Sequence, residues 1–101
     1  MKSETTLTRF RLEERREINL PTTARIPHAD AQITVLNLSA TGCKLRTATE
    51  AARLGCTVLV RLSAEDEVSG QIVWRQGEIC GVHFHRQIPA EMICRLTGTF
   101  Y

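Results

Sequence analysis

From Thr22 to His85 the apolar residues recur mostly at every second position, and short polar clusters interrupt them. Side chains alternate faces along a strand, so this pattern predicts a series of half-buried strands. Thr22–Ile26 has the β-branched content of a strand, and Pro27-His28-Ala29-Asp30 reads as a turn. Gln32–Leu38 follows as a strand. Gly42–Thr47 is the next, with Cys43 and Leu45 alternating against Lys44 and Arg46. Residues 49–54 suit one helical turn capped by Gly55. Val58, Val60 and Leu62 give Thr57–Leu62 an inward face. Val68–Arg75 and Glu78–His85 form a strand pair through Gln76-Gly77, a hairpin signal.

The two ends read differently. Residues 1–8 are polar, carry no apolar period and are expected to fray. Over 9–18, Phe10, Leu12 and Ile18 make a poor stripe, so both a marginal helix and an extended arm are open there, ended by Pro21. At the other end Pro89 suits the first turn of a helix, Met92, Ile93 and Leu96 stripe Ala90–Thr97, and Gly98 stops it. Short strands at regular spacing followed by one helix predict a mainly β fold, a small antiparallel barrel.

Two stretches carry candidate chemistry. Asn37 and Ser39 share a face of a strand that runs into a turn, and Gly42 admits either a positive φ or a close approach by a ligand. Asn, Ser, Thr and Gly are also ordinary turn residues. Upstream, Arg11 and Arg15 lie four apart, which sets them on one side in a helix and in a strand alike, and Arg16 follows directly. Guanidinium forks suit phosphate oxygens and the O6/N7 edge of guanine. Taken alone, these arginines also fit a solvated charged helix laced with Glu13, Glu14 and Glu17.

Arg11–Arg15 followed by Asn37–Ser39–Gly42 resembles the two motifs of the PilZ family of bacterial cyclic di-GMP receptors. The framing agrees: Leu20-Pro21, Ile72-Val73-Trp74, Gly81-Val82-His83-Phe84 and a closing helix follow in that family's order, roughly from Arg9 to the C-terminus. The resemblance implies a six-stranded antiparallel β-barrel with a C-terminal helix and a flexible N-terminal arm over 9–20. It also implies cyclic di-GMP as ligand, held by Arg11, Arg15, Asn37, Ser39 and Gly42, with Arg16 in reserve. The arm would change conformation on binding and signal to a downstream protein. Asn37 stands where an Asp would supply a charge-assisted acceptor for a guanine N–H. A module that docks a partner without the nucleotide is the alternative. Trp74, counted with Val68, Gly70 and Ile72 on one strand face, reads most simply as a packing residue, although such barrels often carry an aromatic near ligand or partner.

Composition removes several other classes. The chain of 101 residues allows one domain, and a net charge of +2 is too small for a nucleic-acid polymer held by a broad basic field. Apolar runs fall short of the roughly twenty residues that span a membrane, and the polar N-terminus lacks a signal-peptide core, so a cytoplasmic location without membrane insertion is expected. Cys43, Cys56, Cys80 and Cys94 form no CxxC pair and are expected to be reduced, buried and small. Cys80 and His83 point to opposite faces of a strand, and His28, His83 and His85 lack metal-ligand spacing. Neither an enzyme, nor a metal, nor a cofactor is expected.

Overall fold

The computed structural model describes residues 15–98; the expectations for residues 1–8, Phe10 and Arg11 lie outside them. The strands are β1 (Arg16–Ile26), β2 (Ala29–Leu38), β3 (Gly42–Arg46), β4 (Thr57–Arg61), β5 (Glu67–Gln76) and β6 (Ile79–Phe84), followed by helix α1 (Ala90–Thr97). All neighbours pair antiparallel, and the sheet closes in the order β1-β2-β3-β6-β5-β4. The six-stranded barrel with a C-terminal helix is therefore as expected. Closure leaves one inner face, which Val35, Leu38, Leu45, Val58, Val60 and Ile72 fill.

Each mouth of the barrel has its own plug. At one, Ile93 of α1 is fully buried while Met92 and Leu96 pack against the core beside Ile18 and Leu20. Pro89 precedes the helix with extended backbone, and Gly98 ends it in the left-handed region at φ 72°. At the other mouth Arg75 Nη1 donates to the Thr49 and Ala52 carbonyls at 2.7 and 2.8 Å, and Nη2 to that of Thr47 at 3.2 Å. Those carbonyls are thereby taken, and residues 49–54 form irregular turns rather than the expected helical turn. Gly55, at φ 91°, serves those turns and caps no helix.

Of the arm over 9–20, residues 9–14 lie outside the described residues, and the rest takes the extended of the two conformations left open, paired rather than free. Arg16–Leu20 belongs to β1, pairing Arg16 with Leu38, Glu17 with Asn37 and Leu20 with Val35. The strand runs straight through Pro21, which was expected to end the segment. Proline is tolerated on edge-like stretches, and β4 pairs with β1 only at Ala24 and Arg25, leaving that flank of Pro21 outside its ladder. The hairpin turn to β2 needs only Pro27 and His28, the latter at φ 77°, so β2 starts three residues earlier than the pattern suggested.

Cys43, Cys80 and Cys94 are buried, whereas Cys56 is half-exposed, contrary to the common reading of all four. Burial pushes the Cys43 thiol up to about 12, with the Arg15 charge acting against it, and raises Cys80 as well. A thiol aryl disulfide reagent should label Cys56 first and the buried three only on unfolding. Because the folded Cys43 lies above the ordinary value near 8.5, its neutral form favours the native state fully below about pH 8.5. That contribution is lost as pH climbs towards 12. Chemical denaturation should show stability falling over this window, and less steeply in Cys43→Val; equal slopes would contradict the burial.

Candidate functional site

An extra residue in one strand reverses which face every later side chain takes. Register shifts of this kind occur between Glu17 and Leu20 in β1, Val35 and Asn37 in β2, and Ile72 and Trp74 in β5. Strict alternation from buried Val35 would send Asn37 inward. Instead Asn37 pairs with Lys44, an outward residue between buried Cys43 and Leu45, while Leu38 takes the inner face. In β5 the same reset turns Trp74 out to 41 % exposure, away from the inner face of Val68, Gly70 and Ile72. Trp74 is thus not the core residue that alternation implied.

The resets produce one outward row. Glu17, Asn37, Lys44, Gly81 and Trp74 are successive register partners across β1, β2, β3, β6 and β5. Gly81 makes the row's far end possible, because a β-carbon there would overlap the Trp74 indole. Gly42, His83 and Gln71 form the next row.

Arg15 reaches this wall from the residue before β1. Its Nη1 donates to Asn37 Oδ1 at 3.2 Å, joining the two sequence motifs across 22 positions. Asn37 is buried beneath it at 8 % exposure, while Arg15 is exposed. Arg16 pairs with inward Leu38 and lies half-buried on the opposite face, so it is not brought to the ledge. Arg11 lies outside the described residues.

Ser39 and Gly42 shape the ledge from below. Ser39 is 1 % exposed; its Oγ accepts from the Gly42 N–H at 3.2 Å and the Thr41 N–H at 3.3 Å, and its own N–H donates to the Gly42 carbonyl at 2.9 Å. The hydroxyl ties the turn 39–42, as such short side chains do. Gly42 lies outside the positive-φ region, and what approaches it closely is the neighbouring strand rather than a ligand. A β-carbon would strike the Val82 carbonyl oxygen of β6. The turn also holds the approach to α1: the Phe84 N–H donates to the Thr41 carbonyl at 2.8 Å and the Ile88 N–H to that of Ala40 at 2.9 Å.

Other sites are thin. A groove of about 590 Å3 lies under α1, floored by Leu62, Val68, Ile88 and Met92, away from the row. Cys80 is buried and His83 exposed, on opposite faces as expected. Among the described residues no group of three or more His, Cys, Asp or Glu could hold a metal, and no helix is long and apolar enough to cross a membrane. Lys44 and Trp74 share the row yet belong to neither motif, since bulges leave no plain mark in a sequence.

A closed antiparallel barrel with a cation-bearing polar ledge on its outer wall defines a small binding module. The family profile of the PilZ domain matches residues 9–97, and the chain belongs to that family. PilZ domains are ligand-binding receptor or adaptor modules, not typically enzymes. No curated protein matches the chain.

Gly42→Ala should lower stability by roughly 1–3 kcal/mol, the usual range for overpacking, because the obstacle is a strand backbone that has to shift. Ser39→Ala should also lower the melting temperature, by removing the tie across the turn. Thermal unfolding followed by circular dichroism checks both; parental melting of Gly42→Ala would contradict the close approach.

Proposed function

We propose that this chain is a cyclic di-GMP receptor that passes the second-messenger signal to a partner protein. The observation that carries the reading is the Arg15–Asn37 hydrogen bond, which sets a guanidinium and an amide side by side on an outward wall. A guanidinium offers paired donors to a phosphate or to guanine O6/N7. The Asn37 amide both donates and accepts, matching the mixed edge of a guanine. In this scheme Arg15 and Arg11 grip the phosphates and guanine edges, and Asn37 reads a base. Ser39 and Gly42 contribute the turn that brings the ligand against the backbone. Arg16, held on the inner side, is the weakest member of the set.

Trp74 adds what the motifs lack. An exposed indole offers a flat π-face to a base, an interaction worth roughly 1–3 kcal/mol per base where it has been measured with nucleic acids. Its neighbour Gly81 carries no side chain, so the indole lies flat over it and leaves its other face to a base.

The reading also limits how the signal is made. Residues 16–20 are strand, so a rearrangement of the whole arm over 9–20 would break β1 pairs. The proposed movement is confined to the chain before Arg16, with Arg15 at its junction to the barrel. The partner would then read a surface formed by that segment, the ligand and the ledge.

Calorimetric titration of cyclic di-GMP into the protein should show saturable binding. Arg15→Ala should weaken it by one to two decades, for the loss of a contact worth roughly 1.5–3 kcal/mol. Absence of heat with the parent would favour the partner-docking module that uses no nucleotide. Trp74 is the chain's single tryptophan, so its emission reports on the ledge without labelling. Cyclic di-GMP should change that emission with the same midpoint as the heat; an unresponsive indole would remove the stacking role.

A further inference from the structure

At the centre of the outward row stands a cation that belongs to neither motif. Lys44 is the register partner of Asn37 on one side and of Gly81 on the other. Its neighbours Cys43 and Leu45 are buried, so strand alternation turns Lys44 outward. Asn37 on one flank is short, and on the other the Trp74 indole lies over Gly81, whose missing side chain gives it the space. Among the described residues the Lys44 ammonium makes no hydrogen bond or ion pair. Trp74 lies one strand further, beyond Gly81.

We propose that Lys44 is a phosphate-anchoring residue of the ledge, holding a phosphodiester of the ligand between Asn37 and Trp74. The inference rests on the reading of the chain as a cyclic di-GMP receptor. An ammonium is a compact point charge with three donors, suited to a phosphate oxygen and poorly matched to the two-pronged edge of guanine. Lys44 also differs from Arg15 in its support. Its strand is hydrogen-bonded on both sides, by β2 and β6, so the charge is already in place whatever the chain before Arg16 does. The barrel wall thus offers a fixed anchor for the anion beside Arg15 and Asn37. The row's carboxylate, Glu17, sits beyond Asn37 and pairs with Asn37, not with Lys44.

The test is calorimetric titration of cyclic di-GMP, at low and high sodium chloride, into the parent, Lys44→Gln, Lys44→Arg and Arg15→Ala. Lys44→Gln should bind about tenfold more weakly, as loss of one charge-assisted contact implies. Its salt dependence should be flatter than the parent's, and its melting temperature unchanged, since the ammonium faces outward. Lys44→Arg should restore both affinity and salt response. Parental affinity in Lys44→Gln, or weakened binding with an undiminished salt response, would overturn the assignment while Arg15→Ala still reports on the receptor reading. A parent that binds no cyclic di-GMP would instead remove that reading, and this anchor with it.

Discussion

The outer wall of this barrel depends on where three strands gain or lose a residue. In a sheet the side-chain period is two, so a one-residue slip exchanges core and surface for everything beyond it. The shifts after Glu17, Val35 and Ile72 each occur as the strand reaches the same row. Below them Val35 and Ile72 fill the barrel; above them Trp74 faces out, and Asn37 lies on the outer wall beneath Arg15. Without the resets, a polar amide would have to be buried among apolar side chains, at a cost of roughly 1–3 kcal/mol if left unpaired. The Trp74 indole would likewise turn to the inner face. Bulges beside binding sites commonly re-aim side chains in this way.

The second constraint is steric. Gly42 and Gly81 are both on β-strands that meet, β3 and β6, and each is small for a different reason. At Gly42 the obstacle is the Val82 carbonyl, part of a backbone that cannot yield without moving a strand. At Gly81 it is the end of a side chain, which could swing away at the expense of its seat on the wall. Ser39 then fastens the turn that joins β2 to β3. Residues that a motif would assign wholly to ligand recognition are therefore also scaffold. The same turn accepts the hydrogen bonds from Phe84 and Ile88 that lead the chain into α1. The ledge and the helix that plugs the barrel thus share backbone contacts.

Much of this was legible in the sequence because local periods survive folding. The alternation in Thr57–Leu62, the hairpin at Gln76-Gly77 and the helix between Pro89 and Gly98 depend on near neighbours and came out within a residue or two. The two motifs likewise pointed to one wall, and the Arg15–Asn37 bond joins them. The family followed from their order and spacing, which hold in any local conformation.

What the tertiary structure alone decided is the facing of residues beyond a bulge and the identity of a glycine's neighbour. Arg16–Leu20 looked too weakly apolar to hold itself, yet β2 supplies the missing partners and makes it strand. Residues 49–54 looked helical until Arg75, more than twenty positions away, took their carbonyls. Trp74 read as core because alternation carries no record of a skipped residue. Lys44 read only as the polar alternate of Cys43 and Leu45, because its place at the centre of the row comes from partners on two other strands. The amino-acid sequence determined the strands, the helix and the two motifs, since these are local preferences. Which side chains share the ledge was settled only by register across the closed sheet, where distant backbones compete for the same hydrogen bonds and the same space.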